Sequence, residues 1–375
     1  MSAFDKFEEV RLDRHKYAKD WKERTGRQVF GYFCTYAPEE LIHAAGIMPV
    51  RVLGSHEPVD VTEPYIPSQW CPYCRDALAQ GLLGRYDYIE GLVYTFACAH
   101  IWNTYLSWTR HIPPSYFHHM YIPEHFYNPH ARAALIDEIN DFKQDFEKWL
   151  GRPITEADLD RTIDVYNTNI QLQHQIYETR KLPNPPINGA EAHSMVIAGQ
   201  LMDKEEHTQL LREALAEIKG RQGIQDPGTR LIILGSENDD VGLTSFIESL
   251  GATVVIDETC GGSRYFWQPI TPQEDRVAAI ADRYISRPPC AHKDLVDRQR
   301  LHFIKQRVEE YQAQGAIFIL QKFCDIYEFD IPAMQKMLNE MGIPLLTLEM
   351  DVTTPYGQFS TRIEAFLETL QTELV

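Results

Sequence analysis

Short apolar runs alternate with amphipathic helical stretches in two separate parts of the chain, and a long strandless stretch divides them. A strand that reaches its neighbour through a helix pairs with it in parallel, so this alternation predicts sheets covered by helices on both faces. In the first part the run VFGYFC, ending at Cys34, leads through Thr35-Tyr36-Ala37-Pro38 into the helical pattern EELIHAAG. A second strand is expected at MPVRVLG, a helix at CRDALAQGLLG, and further strands at IEGLVYTFAC and SYFHHMYIP. In the second part strands are expected at Leu231–Leu234, Thr253–Ile256, Ala316–Leu320 and Leu345–Leu348, with helices between them and a last helix at TRIEAFLETL. The stretch between the two parts (AALIDEINDFKQDFEKWLG, EADLDRTIDVYNTNIQLQHQIYETR and MDKEEHTQLLREALAEIKG, broken by LPNPPING) has helical spacing throughout. The chain therefore reads as an N-terminal helix over 1–26 that stops near Thr25-Gly26, a first α/β lobe over 27–128, a helical segment over 129–222, and a second α/β lobe with a C-terminal helix over 223–375. A cleft between the lobes is the default place for a site.

The formal net charge of −18 argues against nucleic acid and anionic lipid as partners, because both select basic surfaces. No segment has the roughly 18 consecutive apolar residues of a spanning helix. The first residues, MSAFDKFEEVRLDRHK, carry charge throughout and lack the apolar stretch of a signal peptide, so a cytoplasmic location is expected.

Seven cysteines, an odd number, argue against a disulfide framework in such a chain. Only Cys71 and Cys74 are close in sequence; the scatter of the others excludes a local ferredoxin-type motif but not a cluster assembled from the ends of different strands. Cys34, Cys98 and Cys324 each end or follow an apolar run, where the ligand crevice of an open parallel sheet lies. Cys71 stands just ahead of a helix, whose N-terminus favours a thiolate. Two readings stay open on the residues alone: convergent ligands, or buried packing thiols.

Other chemistry is thinly represented. There is no GxxxxGK[ST] phosphate loop, and LGSENDDVG is not GxGxxG. His118 and His119, adjacent on an expected strand, point to opposite faces and make a poor metal pair. Asp239-Asp240 reads as a turn and Glu39-Glu40 as a helix start; neither a Ser-His-Asp nor an HExxH arrangement is evident.

The wording of several segments resembles the 2-hydroxyacyl-CoA dehydratase and benzoyl-CoA reductase superfamily. These are GYFCTYAPEELIHAAGIMPVRVLGS, PSQWCPYCRDALAQGLLGRYDYIEGLVYTFACAH, IDETCGGSRYFW, RPPC, KFCDIYEFDIP and TRIEAFLE, which span nearly the whole chain in order. The resemblance implies an α/β fold of two Rossmann-like lobes with parallel sheets and an intervening helical segment, and a [4Fe–4S] cluster held by Cys71, Cys98 and Cys324. Three thiolates leave one iron open. Cys34 becomes a candidate for lining the site. Cys74 departs from the dehydratase pattern, and Cys260 and Cys290, in segments more like the reductase branch, receive no role from it.

DETCGGSRYFW and RPPC are more similar to the benzoyl-CoA reductase branch, and the chain has the size of the smaller cluster-bearing subunit there. The implied activity is an ATP-coupled, dearomatising two-electron reduction of an aryl-CoA thioester such as benzoyl-CoA to a cyclic dienoyl-CoA. It would require a homologous cluster-bearing subunit and an ATP-hydrolysing iron–sulfur activator, a division of labour that suits a chain without a phosphate loop. The aromatic residues Tyr36, Trp70, Tyr73, Tyr94 and Phe96 would line an apolar pocket, or else are core packing. The alternatives are a subunit of a radical (R)-2-hydroxyacyl-CoA dehydratase, in which the electron is recycled, and an electron-relay subunit without substrate contact.

Overall fold

The computed structural model describes residues 1–58, 60–112, 116–294 and 296–373. The N-terminal stretch forms two helices, α1 (Ala3–Leu12) and α2 (Arg14–Thr25), where the sequence suggested one. Asp13 breaks the spiral, leaving helical geometry at φ −104° and ψ 30°. Gly26, at φ 66°, ends α2 in the left-handed conformation that a residue without Cβ adopts freely.

The first lobe consists of β1 (Val29–Tyr32), α3 (Glu39–Ala44), β2 (Met48–Arg51), α4 (Pro72–Leu82), β3 (Gly91–Thr95), α5 (Ala99–His111) and β4 (Tyr116–Met120). Ser115, the first residue of the run SYFHHMYIP, lies outside the described residues. Four helices follow: α6 (Ala131–Leu150), α7 (Glu156–Glu178), α8 (Gly189–Ala198) and α9 (Lys204–Ile218). Thr155 and Asn188 form capping boxes at the starts of α7 and α8, satisfying backbone donors that a helix cannot satisfy itself. The second lobe comprises β5 (Thr229–Gly235), α10 (Val241–Ser249), β6 (Ala252–Glu258), α11 (Ser263–Phe266), α12 (Arg276–Ser286), α13 (Gln299–Glu310), β7 (Gly315–Gln321), α14 (Asp325–Glu328), α15 (Ile331–Glu340), β8 (Leu345–Met350) and α16 (Tyr356–Glu373). No helix among the described residues is long and apolar enough to cross a membrane.

Both sheets are four-stranded and parallel throughout, in the orders β2-β1-β3-β4 and β6-β5-β7-β8. The architecture is thus α/β, two Rossmann-like lobes of one topology with helices between them. In each lobe the strand order reverses beside its first strand, which opens a crevice at the carboxyl ends of β1 and β3, and of β5 and β7. One continuous apolar core runs through both lobes and the helices between, including Phe30, Ile139, Ile163, Leu211, Ile280 and Phe318.

Polar contacts fix how the lobes face each other. Arg283 of α12 meets Glu40 of α3 at 2.7 Å, both fully buried, and the Tyr284 hydroxyl donates to Glu40 and to the Ala37 carbonyl. Arg287 donates to the Thr35 carbonyl at 2.8 Å, and Arg51, at the end of β2, pairs with Glu237 just past β5. Glu39 and Glu40 therefore open a helix, as read, and serve as structural anchors.

His56 adds a clasp of a different kind. Its Nε2 lies 3.0 Å from Asp239 Oδ1 and its Nδ1 3.3 Å from the Val352 carbonyl, so only the imidazolium satisfies both acceptors. Burial opposes the charge, but Asp239 overrides it and holds His56 up to about 10. Asp239 is held down to about 2 by His56, again against burial. The raised His56 contributes stability that is complete below its unfolded value of about 6.5 and fades as pH rises toward 10; the lowered Asp239 contributes above about 4 and fades as pH falls toward 2. His56 has φ 60°, which Asn tolerates, so His56→Asn isolates the pair from backbone strain. We expect this substitution to lower the unfolding free energy by about 2 kcal/mol between pH 4 and 6.5, measured by denaturant titration, with the difference vanishing near pH 10. A difference that does not change between pH 6 and 10 contradicts the assignment.

Candidate functional site

A cavity of ≈ 670 Å³, its open mouth included, lies between the carboxyl ends of the strands of both lobes. All seven cysteines of the chain line it, together with the rings of Phe33, Tyr36, Tyr73 and Tyr327.

The three cysteines expected as ligands share one local geometry. Cys71 is the N-cap of α4, Cys98 of α5 and Cys324 of the short α14. Pro72 supplies the fixed φ of the first turn of α4 and so sets Cys71 outside the helix. The Cys98 Sγ accepts from the Ile101 amide at 3.5 Å, using sulfur where Ser or Asp usually caps. The turn after β7 passes through Phe323 at φ 61°, a rare conformation for a bulky residue, before Cys324 caps α14. Cys98 thus takes a backbone amide at a helix start, a setting that favours negative sulfur, and Cys71 stands at the matching place on α4.

Burial works the other way. It pushes the Cys98 thiol up to about 12 and Cys324 well above the ordinary thiol range. Cys71 differs: the hydrogen bond from Cys74 holds it down to about 5 against burial, with His100 assisting. The His100 ring is fixed for this role, accepting from the Cys71 amide at 3.0 Å and stacking on Trp70 at 4.8 Å. Among the described residues no three His, Cys, Asp or Glu side chains are gathered closely enough to ligate one metal ion. An iron–sulfur cluster asks for something wider, since each thiolate binds a different iron around a shared core of sulfide. Soft sulfur donors converging from both lobes on one cavity fit such a group, and binding iron reverses the cost of ionising them.

Cys34, at the end of β1, lines the same cavity. So do Cys74, Cys260 and Cys290, whose convergence the sequence did not reveal. Cys260 follows β6 and accepts from Arg264 Nη1 at 3.4 Å, while the Cys290 amide donates to the Tyr36 hydroxyl at 3.2 Å. Glu237 was not singled out either, although its place just past β5 is the strand-end signal that identified the cysteines. It lines the cavity with Oε2 paired to Arg51, and Oε1 has no hydrogen-bond partner among the described residues. Burial pushes Glu237 up to about 7 against the pull of Arg51.

Of the aromatic residues expected at the pocket, Tyr36 and Tyr73 line it. Trp70, Tyr94 and Phe96 instead stack on His100, Tyr105 and Tyr121. His118 bonds Asp145, and His119 stacks on Tyr94 from the other face of β4, so the two do not cooperate. Asp240 caps α10 through the Leu243 amide.

The family model for the 2-hydroxyglutaryl-CoA dehydratase D-component matches residues 34–370. The (R)-phenyllactyl-CoA dehydratase beta subunit of Clostridium sporogenes is 27% identical over 98% of both chains. A benzoyl-CoA reductase subunit of Thauera aromatica is 26% identical over 88% of both, and the (R)-2-hydroxyglutaryl-CoA dehydratase beta subunit of Acidaminococcus fermentans is 24% identical over 92% of this chain and 93% of its own. With nearly all of its two lobes matched, the chain belongs to the 2-hydroxyglutaryl-CoA dehydratase D-component family, whose compared members are subunits of dehydratases and of a reductase.

Proposed function

We propose that this chain is one iron–sulfur subunit of an ATP-coupled aryl-CoA reductase of the benzoyl-CoA reductase type, with a [4Fe–4S] cluster on Cys71, Cys98 and Cys324. The observation that carries the reading is the meeting of three helix-capping thiols, drawn from both lobes, in one apolar cavity. When bound, a cluster with one open iron supplies single electrons at low potential.

The chain's own groups prepare the site for that chemistry. Phe33, Tyr36, Tyr73, Ile101 and Ile326 make the cavity walls largely apolar, so charge placed on a thioester carbonyl meets fixed dipoles rather than mobile water. Glu237, its carboxyl raised by burial to about 7, exchanges a proton near neutral pH and is the group placed to deliver one to a reduced ring, while Arg51 fixes its orientation through Oε2. Cys34 lines the same cavity. A homologous cluster-bearing subunit and an ATP-hydrolysing activator complete the enzyme in this reading. It is supported by the reductase-like segments Asp257–Trp267 and Arg287–Cys290 and by the relationship to the benzoyl-CoA reductase of Thauera aromatica. A subunit of a radical 2-hydroxyacyl-CoA dehydratase is the second reading, favoured by the fuller coverage of the phenyllactyl-CoA dehydratase relative.

Two measurements test this. In the anaerobic complex, Cys98→Ala should remove the cluster's iron and sulfide and abolish benzoyl-CoA reduction, while ATP hydrolysis by the activator persists. Full activity of that variant, or a wild-type complex that dehydrates a 2-hydroxyacyl-CoA and leaves benzoyl-CoA untouched, refutes the reductase reading. Glu237→Gln should slow reduction by about a hundredfold or more, the usual worth of a positioned acid. Because the acid form is required, the wild-type rate should fall as pH rises through about 7, and the variant should lose that limb.

A further inference from the structure

The cluster ligands account for three of the cavity's cysteines, and Cys74 serves them by hydrogen-bonding Cys71. Cys34, Cys260 and Cys290 are left over. They come from three separate connections, after β1, after β6, and just ahead of the short turn Ala291–Lys293, yet they line the same cavity. Twenty of the chain's residues line it, so seven cysteines placed without regard to it would put fewer than one there. The leftover three also share neighbours. Cys34 lies within electrostatic reach of Cys260, Tyr327 within reach of both Cys260 and Cys290, and Lys293 within reach of both Cys290 and Cys34.

A second observation concerns charge. Arg287 is 1% exposed and Lys293 0%, and among the described residues neither pairs with a carboxylate. Lys293 Nζ donates only to the Phe96 and Ile122 carbonyls, and Arg287, beside the Thr35 carbonyl and over the Tyr36 ring at 3.6 Å, leaves its Nε without a partner. Burial pulls the Lys293 ammonium down, and a buried Arg287 guanidinium without a carboxylate is costly; an anion in the cavity beside them favours both charges. Arg264, already paired with Glu258, also donates to the Cys260 sulfur on this side.

We infer that the cavity takes a second iron–sulfur unit, on Cys34, Cys260 and Cys290, beside the one on Cys71, Cys98 and Cys324. The inference rests on the cavity being an iron–sulfur site, as proposed above. Three more thiols release their protons to solvent on binding iron, and the anionic unit sits against Arg264, Arg287 and Lys293 as the first sits against three helix starts. Cys34 lies within electrostatic reach of Cys98, so the two units would be neighbours.

Iron and sulfide analysis of the full chain, purified or reconstituted anaerobically with iron and sulfide alone, tests this without any activity assay. We expect about eight irons and eight sulfides per chain, twice the content of a single [4Fe–4S] cluster. The triple substitution C34A/C260A/C290A should keep about half of each and alter the electron paramagnetic resonance of the reduced protein. A wild-type content of about four irons that survives the triple substitution overturns the inference and leaves the first cluster standing. Zinc in place of iron at the second set overturns it as well. Iron that survives Cys98→Ala unchanged but is lost from the triple variant upholds the second unit and removes the first assignment. The wild-type iron count remains decisive if the triple variant does not fold.

Discussion

A guanidinium taken out of water must meet an anion or a full set of acceptors, because its desolvation costs several kcal/mol. This chain buries Arg51, Arg264, Arg283, Arg287 and Arg300 almost completely, all at or near the facing ends of the two sheets. Arg51 reaches Glu237 across the lobes, Arg283 reaches Glu40, and Arg264 shares Glu258 with Arg300. Arg264, Glu258 and Arg300 brace the second lobe from within, while Arg51 with Glu237 and Arg283 with Glu40 cross the lobes and are satisfied in only one relative placement of them. Apolar packing glues lobes together over a range of angles, but these contacts select one, and the cavity exists because that placement leaves a gap at the strand ends.

The same accounting explains the cavity's character. Its walls are largely apolar, with Arg51 and Glu237 the charged residues among them; further compensation comes from behind, by helix starts under Cys71 and Cys98 and by Arg264 beside Cys260. Fields set up by fixed dipoles and buried charges in a dry space are strong and need no reorganisation when charge arrives. Thiols that burial alone would keep protonated, as at Cys98, are thereby poised for an occupant that makes them anionic. An unpaired carboxylate oxygen on Glu237 faces the same cavity, with burial raising that carboxyl to about 7 against the pull of Arg51.

Much of this was legible in the sequence, for reasons that also mark its limit. The parallel sheets followed from uninterrupted apolar runs such as RLIILG, because a strand buried on both faces has no alternation to show. Cys34, Cys98 and Cys324 were readable since strand ends are fixed relative to the crevice by topology alone. Cys260 and Cys290 were not, because Cys290 lies in the long β6 to β7 connection, whose path depends on tertiary contacts such as Arg287 with Thr35. The break at Asp13 escaped notice for a similar reason: Asp is tolerated in helices, and only packing of α1 against α8 and α9 decides that the chain must turn there. Tyr94 and Phe96 looked like pocket rings, but Tyr94 lies inside β3 on a face filled by Tyr105, and Phe96, just past the strand, stacks on Tyr121.

Duplication of one topology gives the last link between fold and site. Cys98 follows the third strand of its lobe and Cys324 the third strand of the other, so the two are topological equivalents. A single lobe of this kind offers half a cradle open to solvent, where a thiolate is stable but cannot enclose anything. Facing two such lobes turns two half-cradles into one cavity with donors on opposite walls and a single open mouth. An occupant bound to both walls then ties the lobes together, and whatever free energy it gains from binding stabilises the lobe interface by the same amount. The buried ion pairs across the lobes set the gap before any occupant arrives, which spares that binding energy the work of assembling the site.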